Sequence, residues 1–369
     1  MVGDAIDSAL QQSLATVEVI VVDDGSTDDT ETAVRRYGDR VRYVWTDHGG
    51  VAHARNVGAR IARGRYLTFL DSDDTLYGYA LELEAGLLDR FADIGLVCAE
   101  MSGVDHSGLI ARYYLKTYHR SAYRDPSLTY DSIFDSSVPL QDAQPLPRVL
   151  LQEQADAGER RIYFGNVFDI YLMNLVLCQN TVMYRKSVLD QVGERNVAVK
   201  HWQEVDYLLR ITRRYRIGFA DVPTYRMRFH PGQLSMTGGP TGTDIWMRKQ
   251  QILLRVVKRH ALADPGYYRI HRRRIHRQLA HLHRAAAVPM LLAGGTAQAR
   301  RRRAACARLH LARCARYGRP AWMLHAASLA PVAIRDVAVR GVESVTQWCR
   351  GIASSISNVT PAMSASRVH

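Results

Sequence analysis

YLTFLDSDDT, residues 66–75, decides how this chain reads. Five strand-forming residues, 66–70, lead into three carboxylates, Asp71, Asp73 and Asp74. An apolar run of that length carries a strand through a buried sheet, and acids at its end emerge at the sheet's rim. In open α/β sheets ligands sit outside the carboxyl ends of the strands. Carboxylates so closely spaced repel one another unless a cation joins them. The stretch predicts a divalent-metal site able to grip a diphosphate.

Working upstream, 17–22 (VEVIVV) predicts a second strand that also ends in acids, Asp23 and Asp24. Residues 1–16 read as a helix with Ile6, Ala9, Leu10 and Leu14 on one side. A helix capped by Ser26 or Thr27 follows the first acids and stops at Gly38, with Asp28 and Asp29 in its positive first turn. Residues 41–45 read as a strand. Gly49-Gly50 breaks the chain, and 51–63 reads as a helix ended by Gly64. Downstream come a helix over 79–91, a strand over 94–99 and a hairpin turn at 105–108. Residues 116–165 read as irregular and 169–178 as apolar. Short elements follow: helices at 187–193 and 202–214, a strand at 217–219 and an extended segment at 225–230. Such strand–helix alternation predicts an α/β sheet with parallel strands. It also places Asp23-Asp24 and Asp71–Asp73 along one sheet edge. No GxGxxG and no GKS/GKT occurs, so a metal has to do the work of a glycine-rich phosphate cradle.

Charge divides the chain. From Ile245 onward 23 Lys and Arg face three acids (Asp264, Asp336, Glu343), a net of +20, which leaves −7 for residues 1–244. That asymmetry predicts two functional parts, with the boundary in the Gly/Pro/Thr-rich stretch 231–243: a domain over 1–240 and an Arg-rich helical region over 241–369. Five cysteines without a CxxC pair fit a reduced, cytoplasmic setting. No signal peptide and no apolar run of membrane-spanning length is visible; 285–295 and 320–334 are too short.

VEVIVVDDGSTDDT (17–30), GGVAHARNVGARIARGRYLTFLDSDDTL (49–76) and the later stretches 202–210 and 226–235 together resemble the inverting glycosyltransferases of family 2. The resemblance covers about residues 5–235. It implies a GT-A fold, a Rossmann-like mixed α/β sheet flanked by helices, with the basic helical region as an appendage. It implies bacterial envelope polysaccharide or glycolipid synthesis from a nucleotide-diphospho-sugar, with UDP the expected nucleotide. Asp23 and Asp24 would hold the base and ribose, and Arg55 would lie near the donor. Asp71 would touch the sugar or ribose, and Asp73 would bind manganese or magnesium bridging the diphosphate. Asp74 reads as the cap of the next helix.

The resemblance also requires a base for the acceptor hydroxyl, drawn from an acidic pair at a helix start and followed by an arginine. The matching stretch is Trp202-Gln203-Glu204-Val205-Asp206 with Arg210. Gln203 stands where the first acid belongs. Glu204 is the expected base and Asp206 the second choice. From 226–232 the resemblance takes Arg228 as a diphosphate contact and His230 as a further metal or phosphate ligand; a lone histidine is equally often structural.

The family pattern begins with a strand of VSVIIPxYN type ahead of a helix like 6–14. This sequence starts at that helix, which predicts weak or no donor binding. Two other readings stay open. Asp71-Ser-Asp-Asp-Thr75 matches the DxDxT element of haloacid-dehalogenase-like phosphatases, with Asp71 as nucleophile, though the later elements of that family are not found. A non-catalytic sugar-nucleotide-binding protein is the third. For the tail, 268–277 and 300–303 are dense in arginine without a nucleic-acid motif, so no nucleic-acid partner is expected. Residues 329–352 are amphipathic at helical spacing. The tail either packs on the catalytic domain or lies on an anionic membrane surface at the inner face of the plasma membrane, where a glycan or lipid-linked acceptor would be met.

Overall fold

The computed structural model of the protein describes residues 1–118, 128–153, 159–199, 202–233, 242–292 and 310. The tail segments 300–303 and 329–352 lie outside them. Ten strands are labelled in chain order: β1 Val19–Asp23, β2 Val41–Trp45, β3 Tyr66–Thr68, β4 Thr75–Leu76, β5 Ile94–Asp105, β6 Gly108–Ala111, β7 Ser136–Pro139, β8 Arg161–Gly165, β9 Val182–Arg185 and β10 Arg216–Arg228. Among the helices are α1 Val2–Leu10, α2 Thr30–Arg35, α3 Val51–Ile61, α4 Ala80–Arg90, α5 Phe168–Asn174, α6 Ser187–Val192, α7 Gln203–Thr212, α8 Gly242–Leu262 and α9 Pro265–Leu292.

The fold is mixed α/β. β1 and β2 form a small parallel sheet, Val19 opposite Val41 through Asp23 opposite Trp45. The larger sheet runs β3-β9-β5-β10-β8-β7, with β4 on β10 and β6 on β5. Within it β5 and β10 are parallel, and the other pairings are antiparallel. β5 is buried from Ile94 to Gly103, as a strand covered on both faces must be. α1, α2, β1 and β2 share a core of Ile6, Val34 and Val41, with Val2, Leu10, Val19, Val21, Tyr37 and Tyr43 against it.

Several expectations need correction. The sheet expected to have parallel strands is mostly antiparallel, and the two acid-ended strands are not ladder neighbours: β1 pairs with β2, and β3 with β9. α2 begins at Thr30, not at Ser26 or Thr27. The Asp23 carboxylate takes the Ser26 amide and winds 23–26 into a turn, while Asp28 receives the amide and hydroxyl of Thr30. The "irregular" 116–165 region holds β7 and β8; β7 is an edge strand closed by Pro139, a place where proline is tolerated and the strand pattern is masked. The two pieces expected at 217–219 and 225–230 are one strand, β10, interrupted by bulges. Ala220, Pro223 and Tyr225 face the consecutive residues Ala99, Glu100 and Met101 of β5.

The chain divides into two compact units, Met1–Gly242 with Arg255–Arg269, and Thr243–Leu254 with Ile270–His369. This division differs from a boundary near residue 240 in assigning Arg255–Arg269 to the first unit. In α9, Ile275 and Leu279 are buried, whereas Arg272, Arg273, Arg274 and Arg277 are exposed. Among the described residues no helix is long and apolar enough to cross a membrane.

Candidate active site

The site is assembled on α3. Gly49 and Gly50 donate their amides to the two oxygens of Asp24, at 2.8 and 2.7 Å. Gly50 caps α3 at φ +87°, a left-handed conformation that glycine adopts without steric cost. The carboxylate just beyond β1 thus fixes the start of the helix that carries Arg55. His48 lies 3.1 Å from the same carboxylate. Asp23 is turned inward: its oxygens accept from the Ser26 amide and the Tyr43 hydroxyl, each at 2.7 Å. Burial raises the Asp23 carboxyl, but these bonds outweigh it and hold the group below the ordinary carboxylate range; burial and Asp23 push Tyr43 to about 12.

One turn and a half into α3, Arg55 reaches Asp71 Oδ1 at 2.7 Å. The second oxygen of Asp71 accepts from Asn180 Nδ2 at 3.0 Å, and Asn180 also donates to the Tyr225 hydroxyl at 3.1 Å. Tyr225 in turn donates to Asp74 Oδ2 at 2.6 Å. Asp74 Oδ1 takes the Arg228 amide at 2.7 Å. Asp74 is therefore no helix cap, as its position suggested: α4 starts at Ala80 with Tyr79 before it. Burial pushes the Asp74 carboxyl up to about 7, the charges of Asp73 and Asp71 adding to it against the bonds from Tyr225 and Arg228.

Asp73 is the open member. Its Oδ2 meets His230 Nε2 at 3.0 Å, and both side chains are partly exposed. Carboxylate oxygens of Asp71, Asp73 and Asp74 lie within 4.8 Å of one another. Hard oxygen donors at that spacing, with an imidazole beside them, fit a divalent cation. Asp71 and Asp74 each have both oxygens in hydrogen bonds, whereas Asp73 contacts only His230 among the described residues, so Asp73 and His230 are the residues most open to hold it.

α7 brings Glu204 to the same place. Burial raises its carboxyl above the ordinary range, with Arg55 drawing it down, Asp71 pushing it up and Arg195 drawing it down again. A carboxyl raised in this way suits proton abstraction near neutral pH. Trp202, just before the helix, has φ +58°, a left-handed conformation uncommon for a bulky residue and found where surrounding structure imposes it.

Two expected site residues face elsewhere. Asp206 is buried and accepts from His260 Nε2 at 3.0 Å and Arg210 Nε at 3.3 Å, with Arg259 at 3.7 Å. Burial raises its carboxyl, but His260, Arg210 and Arg259 outweigh that and keep it below the usual range, the opposite of what a base needs. Arg210 also donates to the carbonyls of Val192 and Glu194, closing the end of α6. The Arg228 guanidinium does not point into the acid cluster: it binds Asp4 of α1 at 2.8 Å, and only its backbone amide serves the site. Asp71, the nucleophile of the phosphatase reading, has both oxygens occupied. Asn180, Tyr225 and Arg195 were not anticipated. The Gln179-Asn180 pair interrupting the apolar run before β9 was the available signal; a tyrosine in a strand and an arginine after Gly193 gave none.

Residues 1–138 match the family description "Glycosyl transferase family 2". An uncharacterized glycosyltransferase of Rickettsia prowazekii (strain Madrid E) is 40% identical over 87 residues, 24% of this chain and 27% of the relative. The chondroitin synthase of Escherichia coli is 38% identical over 116 residues, 30% of this chain and 16% of the synthase. The chain thus spans only about a quarter or less of these relatives. Among solved structures, S. aureus TarS 1-349 in complex with UDP-GlcNAc aligns over 95% of this chain and 88% of its own at 18% identity and a TM-score of 0.47. Over its N-terminal residues 1–138, the chain is thus similar to glycosyl transferase family 2.

Proposed function

We propose that the protein is an inverting glycosyltransferase of GT-A arrangement that moves a sugar from a nucleotide-diphospho-sugar, a UDP-sugar by preference, to an acceptor hydroxyl. The observation that carries this reading is the convergence of Glu204, Arg55 and Asp71 beside the Asp73–His230 pair. Glu204 takes the proton of the acceptor hydroxyl as its oxygen forms a bond to the anomeric carbon. The bond to the diphosphate breaks on the opposite face, and the electron pair leaves on the phosphate oxygen. Arg55, steadied by Asp71, presents positive charge to the donor. Asp24 retains acceptor capacity for the ribose beyond its two amide bonds, with Asp23 shaping the turn behind it. Manganese or magnesium held by Asp73 and His230 would supply charge neutralisation of the departing diphosphate.

The chondroitin synthase likeness supports a polysaccharide or glycolipid acceptor, as in envelope synthesis. The exposed arginines of α9 support contact of the 241–369 region with an anionic membrane at its cytoplasmic face. The test is calorimetric binding of UDP with manganese, followed by transfer from a panel of UDP-sugars. Asp73→Ala is expected to abolish the manganese dependence of UDP binding. Glu204→Gln is expected to leave it intact and to remove transfer. Proton NMR of the product reports inversion at the anomeric carbon. UDP binding that remains as manganese-dependent in Asp73→Ala as in the wild type would refute the assignment.

A further inference from the structure

Arg195 is 2% exposed and ranks among the largest fully buried side chains. Its backbone is clamped to α3 by Asn56, which accepts from the Arg195 amide and donates to its carbonyl, both at 2.9 Å. The guanidinium carbon sits 4.2 Å from the ring of Phe69 and 4.1 Å from that of Tyr207. Nη1 makes one long bond of 3.5 Å to the Tyr184 hydroxyl, and Nε and Nη2 have no hydrogen-bond partner. Among the described residues no carboxylate pairs with it at ion-pair distance. Burying a cation without a carboxylate costs several kcal/mol, on the order of what two desolvated ring contacts return. An apolar side chain of similar volume would fill the space at less cost.

The position explains why a charge is kept there. Phe69 lies two residues before Asp71, and Tyr207 lies one helical turn after Glu204. The guanidinium is therefore wedged between the strand end that delivers one carboxylate and the helix start that delivers the other. The other titratable and charged groups facing Glu204 are Arg55 of α3, Asp71, Tyr171 of α5 and Cys178. Tyr171 is driven up by burial, and Cys178 likewise to about 12, so both stay neutral. Arg55 is the stronger positive influence on Glu204, but Asp71, bonded to it, pushes the carboxyl the other way and offsets it. Arg195 is the second buried positive charge acting on Glu204, and the one with no carboxylate against it.

We propose that Arg195 is a positioning residue for the acceptor base: its carboxylate-free guanidinium, locked between Phe69 and Tyr207, holds Glu204 in the ionised, proton-accepting state at neutral pH. This rests on the reading of Glu204 as the base. The wedge acts by its field through the protein, where a buried fixed charge is screened less than one at the surface, so it needs no contact with substrate.

The experiment uses the full chain and compares Arg195→Met and Arg195→Gln, which remove the charge, with Arg195→Lys, which keeps it. The pH profile of kcat for the best UDP-sugar is measured with manganese. In the neutral variants the acid limb should move up by about one pH unit or more, which is about tenfold in kcat below the midpoint. The rates should converge on the wild type at alkaline pH, with donor KM within about twofold. Arg195→Lys should keep the wild-type limb. Titration of the Glu204 carboxyl by 13C NMR, assigned by difference against Glu204→Gln, reads the same shift without requiring turnover. A shifted Glu204 resonance in a protein that transfers no sugar supports the wedge and overturns the transferase reading alone. An unmoved resonance with kcat lowered equally at all pH values overturns the wedge. Unfolding of both neutral variants, or a Glu204 resonance that shifts in the charge-keeping Arg195→Lys, assigns Arg195 to the scaffold and overturns it.

Discussion

Glu204 and Asp206 stand two residues apart on α7 in opposite electrostatic surroundings, so replacing Asp206 by asparagine is the sharpest perturbation available. The Asp206 side chain is 3% exposed and accepts from His260 at 3.0 Å and Arg210 at 3.3 Å, while Arg259, mostly exposed, contributes at 3.7 Å. Charge-assisted bonds of the first two kinds are each worth about 1.5–3 kcal/mol, and the exposed Arg259 adds less than about 1. Asparagine keeps the shape and loses the charge, leaving Arg210 without its carboxylate. About 3 kcal/mol of destabilisation is expected, at the low end of what breaking a buried pair costs. For a unit of this size that lowers Tm by about 6–12 °C. The pH dependence follows. A carboxyl held below its unfolded value stabilises fully above that value, about 3.9, and loses the contribution as pH falls through the folded value. The acid end of the wild-type stability curve should therefore be steeper than that of Asp206→Asn. Thermal melts by circular dichroism and transfer assays at 20 °C decide the matter together. Asp206→Asn should lose stability and keep kcat within a few-fold. Glu204→Gln should keep Tm and lose about 10²–10⁴-fold in kcat. An Asp206→Asn protein with an unchanged melt and abolished turnover would refute the division of labour.

Three further outcomes follow from the geometry. Burial pushes Glu84 up to about 8 against its bond with Thr224; the folded state then holds a proton the unfolded state has released, so stability should fall as pH rises from about 4.5 to 8, and Glu84→Gln should flatten that slope in urea titrations at stepped pH. Asn180→Ala removes the donor shared by Asp71 and Tyr225 and should weaken UDP binding by about tenfold, with calorimetry as the readout and unchanged affinity as the contrary result. Arg228→Ala loses a partly exposed bridge to Asp4, worth no more than about 1 kcal/mol, and should leave UDP affinity unchanged; a large loss of affinity would return Arg228 to the donor pocket.

Local pattern carried the short-range elements: β2 and α6 with its Gly193 stop lie where residue type and spacing put them. Pairing was less legible. The alternation of strands and helices suggested parallel neighbours, but which strands pair is decided by contacts far apart in sequence, such as Tyr66 with Arg185. Proline hid β7 and the continuity of β10, because a residue without an amide proton weakens the strand signal even where a bulge or an edge accommodates it. At the site, the closely spaced acids announced themselves. Their division of labour did not, since it depends on which oxygens Asn180 and Tyr225 occupy. Asp206 and Arg228 had the right type and spacing for a site, and the partners that claim them, His260 and Asp4, lie 54 and 224 residues away.

The bulges of β10 have a consequence for how the sequence can change. The first half of the strand, Ile217–Ala220, is locked between β5 and β8, and Tyr225 and Arg226 pair with β4 at the acid cluster. Asp221, Val222 and Thr224 lie outside the ladder with β5 and act as slack between the two halves. Deleting one of them would regularise the ladder but reverse the faces beyond it, swinging the Tyr225 hydroxyl away from Asp74. Substitutions in the sheet's interior can thus accumulate without shifting the reactive end, while the length of 221–224 is held fixed. Insertions and deletions between relatives should gather in turns such as 105–108 and avoid this short spacer.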